Sequence, residues 1–341
     1  MSARLFGLDI GRSYIKVAAV DVSRNRKVLT AAGIISSPVP AFLSSSESDL
    51  SKVVDAVKRL VEEVKIETDK CSVSLMESQV ISRLIQIPKL TDKELAAAVV
   101  WEAEQYIPLP IKDVVLQHNV VNTTNPQHPG GEKMDVLLVA APKRVVERYI
   151  RIVRECHFKV NSIESESFSL ARSLTQPTDA STIIVSFGAF STELTITNRG
   201  SVIFTRSVST GGANLTKIIM REFNLPTIQA EQYKQSYGVS PDKLSGKLVE
   251  ALGPSLEVVV TEILRGVEFS KSHVSNWSGA KIVLCGGGAY LPGLSEYLVG
   301  RTNLDVTIGD PWVDFVKEGL ITKIPGQGTV YAVATGLALR S

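Results

Sequence analysis

Apolar and polar positions along this chain change period in a regular order. Arg4–Leu8 is a short, mostly apolar run that stops at Asp9-Ile10-Gly11-Arg12-Ser13, a sequence suited to a tight turn. Tyr14–Asp21 then alternates with the period of a strand, Ser23–Lys27 reads as a hairpin tip, and Val28–Ser36 reads as a third strand. After the Pro/Ser-rich connection Ser37–Ser48, apolar residues recur at helical spacing: Leu50, Val53, Val54, Val57, Leu60, Val61 and Val64. The order is strand, strand, strand, helix.

The same order returns from Thr182. Ile183–Ser186 reads as a strand, Phe187–Ser191 as a turn, Thr192–Thr197 as a strand, Asn198–Gly200 as a hairpin turn and Val202–Ser207 as a strand. Gly211-Gly212 opens a helix carrying Leu215, Ile218, Ile219 and Phe223. Laying Asp9 on Ser186 puts Gly11 on Gly188 without a gap. A repeated βββα unit predicts an α/β protein of two similar lobes that face one another, each presenting a turn at a common cleft.

The texture between the repeats is different. Thr91-Asp92-Lys93-Glu94 is a capping box for a helix through Gln105, which Ile107-Pro108-Leu109-Pro110 stops. Trp101 and Tyr106 on that helix read as core. Asp113–Val121 is strand-like, Asn122–Glu132 is a polar loop and Met134–Ala141 is a buried strand, after which Pro142 begins a helix to about Glu155. On that last helix Lys143, Arg144, Arg148, Arg151 and Arg154 oppose Val146, Tyr149, Ile150 and Val153, which reads as a solvated face over a packed one. The expected division is a first lobe of residues 1–71 and 165–180 with a closing helix at 326–341, an inserted subdomain at 72–164, and a second lobe at 181–325.

Composition narrows the function. The 341 residues carry 37 Lys+Arg against 35 Asp+Glu, a net charge of +2, too balanced for a dedicated nucleic-acid binder. Cys71, Cys156 and Cys285 lie far apart and offer no CxxC pair, and the four histidines make no HExxH. The sparse cysteines fit a reducing cytosol. The apolar runs Leu95–Trp101 and Val136–Ala141 are too short to span a membrane, which takes about 20 residues, and the ends show neither a signal peptide nor an amphipathic tail. Cytoplasmic placement is expected.

The familiar phosphate loops are absent. Gly246-Lys247 lacks the preceding glycine of a P-loop and is followed by Leu, and Gly286-Gly287-Gly288 runs into Ala289-Tyr290-Leu291 rather than completing GxGxxG. Another arrangement is present. Small residues in the first turn let backbone amides approach phosphate oxygens, Ser13 adds a hydroxyl and Lys16 a cation, and Asp9 at the strand end is placed to hold Mg²⁺ through water. The same residues equally make a plain hairpin, with Gly11 at positive φ and Asp9 capping it. Ile282–Cys285 runs into the three glycines and then a helix at Leu294–Val299, which suits a flat ligand lying against bare backbone.

These segments together resemble the actin/FtsA superfamily of ATP-binding proteins, and within it the PilM family of type IV pilus assembly. GLDIGRSYIKVAAV resembles the superfamily's first phosphate loop and LCGGGAYLPGL its adenosine motif. GGANLTKII and AEQYKQSYG match the patterns between them, and Tyr331–Arg340 resembles the closing helix. IPKLTDKEL, WEAEQYIPLP and LLVAAPKRVVERY resemble the extra subdomain. The likeness covers essentially the whole chain.

That resemblance implies a duplicated actin-like fold with ATP and Mg²⁺ in the cleft. It assigns the metal to Asp9, the phosphates to Gly11, Arg12, Ser13, Lys16, Gly188, Gly211, Gly212 and Asn214, and adenosine to Glu231, Lys234, Gly286, Gly287 and Gly288. One departure stands out: the second loop usually ends its strand with Asp, and this chain has Ser186. A serine brings no charge to orient metal and water, so binding is expected to survive while hydrolysis is weak or absent. The family further implies a scaffold at the inner membrane, docked to the cytoplasmic N-terminal tail of a PilN-like bitopic protein. Pilus assembly ATPases and further copies of the chain are secondary candidate partners. The alternatives are an FtsA-like cell-division filament protein and a sugar or acyl kinase on the same fold.

Overall fold

Every residue of Leu5–Ile10 (β1) is buried, because the strand lies mid-sheet with helices on both faces. The computed structural model of the chain describes residues 5–23, 26–39, 46–123, 132–274, 277, 279–317 and 328–340. Parts of the expected hairpin tip (24–25), the Pro/Ser connection (40–45), the polar loop (124–131) and the closing segment (326–327, 341) fall outside the described residues. β1 pairs antiparallel with Tyr14–Ser23 (β2), which pairs antiparallel with Arg26–Ser36 (β3). Glu47–Glu63 (α1) follows and buries Leu50, Val53, Val54, Val57, Leu60 and Val61, the stripe that the periodicity predicts. Lys70–Leu75 (β4) then returns parallel to β1.

Ile81–Pro88 (β5), Asp92–Tyr106 (α2), Val114–Thr123 (β6) and Lys133–Pro142 (β7) build a separate layer, a three-stranded antiparallel sheet in the order β5-β7-β6 under α2. The capping box at Thr91 and Glu94 forms as expected. Leu95, Val99 and Ala103 repeat every four residues and turn toward the sheet. Trp101 lies off that stripe and is 64% exposed, and Tyr106 is exposed beside it under the Arg83 guanidinium. Their expected core role is therefore corrected: the spacing of the buried stripe leaves both rings outside.

Lys143–Glu155 (α3), Lys159–Ser165 (β8) and Glu166–Leu174 (α4) return the chain to the first lobe. β8 pairs parallel with β4, and Tyr149, Ile152 and Val153 of α3 join the core under β1 and α1. Lys143, Arg144, Arg151 and Arg154 of α3 are exposed, with Arg151 bonded to Glu47 and to Glu155 at 2.7 Å, whereas Arg148 is half-buried, which corrects the expected solvated role of that residue. The bounds 72–164 expected for the insertion are thus too wide. β4, α3 and β8 complete the first sheet and core, and only 81–142 forms the separate layer.

The second lobe repeats the first. Ser181–Phe187 (β9), Thr192–Asn198 (β10) and Ser201–Val208 (β11) form the antiparallel meander, followed by Gly212–Phe223 (α5), Thr227–Tyr237 (α6) and the long Lys247–His273 (α7). Ala280–Cys285 (β12) pairs parallel with β9, Leu294–Thr302 (α8) crosses over, and Val306–Ile308 (β13) closes the five-stranded order β11-β10-β9-β12-β13. Phe315–Lys317 (β14) departs from the expected second-lobe span of 181–325. It pairs parallel with Lys27–Leu29 of β3, and Trp312 beside it packs on Ala18, Leu29 and Tyr331. Ala332–Ala338 (α9) then lies on β1. Between the two sheets, Leu170 of α4, Ile184, Cys285, and Ala332, Val333 and Leu337 of α9 share one cluster.

Candidate functional site

The two turns are built alike. The Gly11 amide donates to the Tyr14 carbonyl at 3.0 Å, and the Gly188 amide donates to the Ser191 carbonyl at 2.9 Å. A Cβ at 11 would stand 2.9 Å from the Tyr14 oxygen, and one at 188 would stand 2.8 Å from the Ser191 oxygen. Gly11 does not adopt positive φ, so close backbone approach requires glycine there, and the alternative of a plain hairpin with a left-handed Gly11 is not the one the turn adopts. The turn tips touch: the Arg12 guanidinium lies 4.1 Å above the ring of Phe190. Ser13 is half-buried and its carbonyl accepts from Ser37 at 2.8 Å.

Behind the first turn, Asp9 is 2% exposed and accepts from Lys16 Nζ at 2.6 Å and from Ser74 Oγ at 3.5 Å. Asp9 and Lys16 face each other directly across β1 and β2. Burial pulls the Lys16 ammonium down, but the Asp9 carboxylate more than offsets it and the net shift is upward. Glu166, at the start of α4, is marked by no pattern in the sequence. Burial and then the charges of Asp9 and Glu193 push its carboxyl well above the usual range. Glu77 lies close by, accepting from Ser167 Oγ at 2.6 Å.

Behind the second turn stands Ser186, hydrogen-bonded to the Cys285 thiol. Directly across the ladder from it is Glu193, 7% exposed, whose Oε1 accepts from Ser191 Oγ at 2.6 Å and Ser207 Oγ at 3.0 Å. Burial pushes its carboxyl up to about 7. An ordinary glutamate titrates near 4.3. Between about pH 4.5 and 7 the folded protein therefore holds a proton that the unfolded chain releases. The stability this group contributes is full below about 4.5 and is lost as pH rises through 7. Glu193→Gln is expected to flatten that part of the stability profile, read as the difference between wild-type and variant melting temperatures across the window. Parallel profiles would rule it out.

The start of α5 is stitched to the second turn: Gly212 and Ala213 amides donate to the Gly188 and Ala189 carbonyls at 2.9 and 2.7 Å. A Cβ at Gly211 would strike the Ala189 carbonyl at 2.7 Å, which explains a glycine there. Asn214 Oδ1 accepts from Ser255 Oγ at 2.7 Å. Glu231 and Lys234 do share a face of α6, and that face is turned to α5. Lys234 Nζ bonds the Gly212 carbonyl at 3.1 Å, Thr216 Oγ1 at 2.9 Å and Glu231 Oε2 at 2.7 Å. Burial tends to raise the Glu231 carboxyl, but the bonds from Lys234 and Thr216 together hold it below its usual range. Thr216 is a member of this network that the sequence did not single out.

The three glycines divide by role. Gly286 adopts φ +82° and a Cβ there would meet the Phe187 carbonyl at 2.8 Å. The Gly288 amide donates to that carbonyl at 2.9 Å, and a Cβ at 288 would enter the Phe187 ring. Gly287 is exposed, and a methyl group added there would have nothing within 4 Å. Phe187 thus holds the triplet beside the second turn. The Val239 amide, donating to the Pro292 carbonyl at 2.7 Å, ties the end of α6 to the same loop. Both turns, α5, α6 and the glycine triplet are therefore joined in one contiguous region.

Among the described residues no three His, Cys, Asp or Glu side chains group closely enough to hold a metal ion by themselves.

Among families of known proteins, one described as type IV pilus assembly protein PilM matches residues 7–341. The cell division protein FtsA of Borreliella burgdorferi is 22% identical over 349 residues, covering 90% of this chain and 84% of that protein. Among solved structures, a chain of a PilM–PilN type IV pilus biogenesis complex is 28% identical with a TM-score of 0.81, each chain covered to 98%. MreB5 of Spiroplasma citri bound to ADP shares the fold at 13% identity and a TM-score of 0.54, over 98% of this chain and 94% of that one. The architecture is the duplicated actin-like α/β fold.

Proposed function

The chain belongs to the PilM family of type IV pilus assembly proteins, and from that membership we propose that it is a nucleotide-binding scaffold docked to a PilN-like partner. The observation that carries this reading is the likeness, over 98% of both chains, to the chain in the PilM–PilN complex. In this reading the membrane-anchored partner supplies the placement at the inner membrane; no helix among the described residues is long and apolar enough to cross a membrane.

In the cleft, the turn Gly11–Ser13 and Lys16 take the phosphates, with Gly188 and the start of α5 opposite. Glu231 and Lys234 meet the sugar and base, and Gly287 lies against the base. The bound Mg²⁺ would neutralise phosphate charge, and Asp9 would orient its waters. Arg12 and Phe190 hold the mouth of the cleft together. These assignments are supported by the convergence of the two turns, the start of α5, α6 and the glycine triplet.

The layer 81–142 is the docking element in this reading. It touches both lobes: Leu137 packs with Ala171 of α4 and Val202 of β11. A ligand that closes the cleft therefore bears on the layer directly, and an extended tail needs little ordering to add at a sheet edge or groove. The test is a titration of the intact protein with a synthetic peptide of the cognate PilN cytoplasmic tail. Ile81 pairs with Ala140, so the layer's ends are adjacent and a short Gly/Ser link can replace 81–142. Peptide binding is expected for the intact chain and lost in a deletion variant that still melts cooperatively. Equal affinity in that folded variant would show that the layer is not the docking site.

A further inference from the structure

In the first hairpin, Asp9 ends β1 and Lys16 stands opposite it on β2. In the second hairpin, Ser186 occupies the position of Asp9 and Glu193 the position of Lys16. The charge pattern has been exchanged across the ladder: the acid is missing from the outer strand end and present on its neighbour. Residues directly opposite in an antiparallel pair point to the same face with Cβ atoms about 4.5–5.5 Å apart. A glutamate at 193, one methylene longer than aspartate, can therefore present its carboxylate where one at 186 would have stood.

Glu193 is buried with only one of its two carboxyl oxygens engaged. The carboxylate is 7% exposed and its Oε1 is fixed by two hydroxyls, while Oε2 has no hydrogen-bond partner among the described residues. Buried carboxylates are normally paired, hydrogen-bonded or bound to metal. Lys16 is already engaged by Asp9 at 2.6 Å. Glu166 lies within electrostatic reach of both Asp9 and Glu193, so acidic side chains from both hairpins come near one region.

We propose that Glu193 supplies, from across the ladder, the second-lobe carboxylate that Ser186 lacks, and that its free oxygen orients the Mg²⁺ of the bound nucleotide through water. Asp9 does this from the first lobe and Glu193 from the second, so the ion holds the two lobes to one ligand. The inference rests on the nucleotide reading of the cleft. Glu193 is a positioning residue for the metal.

The experiment measures thermal stabilisation of the intact protein by ADP as Mg²⁺ is titrated against an EDTA baseline. Wild type is expected to gain stability from ADP with a defined Mg²⁺ midpoint. Glu193→Gln keeps the shape and can still accept from Ser191 and Ser207, but should raise that midpoint about tenfold or more, the usual scale for losing a group that orients metal ligands. Ser186→Asp added to Glu193→Gln should return the midpoint toward wild type, which a merely structural glutamate would not allow. If the Gln variant does not fold, Glu193→Asp withdraws the carboxylate by one methylene and should raise the midpoint in the same direction. An unchanged midpoint in the folded variant overturns the role of Glu193 while leaving nucleotide binding intact. Absence of any ADP response in wild type with Mg²⁺ overturns both.

Discussion

Gly336→Ala is expected to lower the melting temperature by several degrees or to prevent folding. Gly336 lies in α9 where the helix crosses α4 at backbone contact. An added Cβ would fall on the Ser169 carbonyl oxygen and stand 2.5 Å from its carbon. The obstacle is backbone inside a packed helix pair, so no side-chain rotation relieves it. The Gly336 carbonyl also accepts from Arg172 at 2.6 Å, and Arg172 in turn bonds Glu164 at 2.6 and 2.8 Å. Displacing α9 disturbs that network together with the packing. Overpacking of this kind costs about 1–3 kcal/mol and sometimes more, and each kcal/mol is worth roughly 2 °C or somewhat less in a chain larger than about 250 residues.

Gly7→Ala should act alike from the other side of α9, because its Cβ would meet the Ala334 carbonyl and stand 2.7 Å from Leu337 Cβ. Gly300→Ala is the control. It lies in α8 with nothing within 4 Å of an added methyl, and removing an exposed helical glycine should stabilise by roughly 0.5–1 kcal/mol. Circular-dichroism melts of the three variants decide the matter. A Gly336→Ala protein that melts with wild type would mean that α9 does not lie in this contact.

Gly287→Asp is expected to leave the unliganded protein's melting temperature unchanged while abolishing its stabilisation by Mg-ATP. Gly287 is exposed and a Cβ added there meets nothing within 4 Å, so the substitution itself creates no clash at the backbone. It would occupy the space proposed for the nucleotide and bring negative charge toward its phosphates. A ligand bound only by the folded state stabilises by mass action, about 2.7 kcal/mol at a hundred times its dissociation constant, and that whole increment should vanish.

Gly288→Ala should do the reverse. Its Cβ would enter the Phe187 ring, with a second ring atom at 3.0 Å, so the unliganded protein itself should melt lower. One substitution reports on the ligand and its neighbour reports on the scaffold. A full Mg-ATP shift in Gly287→Asp would remove the glycine triplet from the site.

Much of this was legible in the residues. The period change from alternation to helical spacing, twice over, sets which residues of β1–β3 with α1 and of β9–β11 with α5 face a core. The gapless alignment of Gly11 on Gly188 anticipated two turns with the same bond and the same close approach. Carried seven residues further, the alignment that sets Asp9 on Ser186 also sets Lys16 on Glu193, so the buried acid was within reach of the repeat. The capping box at Thr91 was readable because a cap involves only residues within one turn of each other.

What the sequence determined by itself is therefore local and periodic: element type, buried stripe, turn chemistry and the duplication. Tertiary structure alone decided which remote elements share a surface. The pairing of Phe315–Lys317 with β3, the joining of α3 to the first core and the exposure of Trp101 depend on which sheet offers an open edge or face. The elevated carboxyls of Glu166 and Glu193 arise from desolvation and from charges on other strands and helices, which no spacing along the chain encodes. The division of the three glycines into two that seat Phe187 and one that faces open space was settled the same way, because hydrophobic periodicity selects a face but only packing sets the distance to what lies across it.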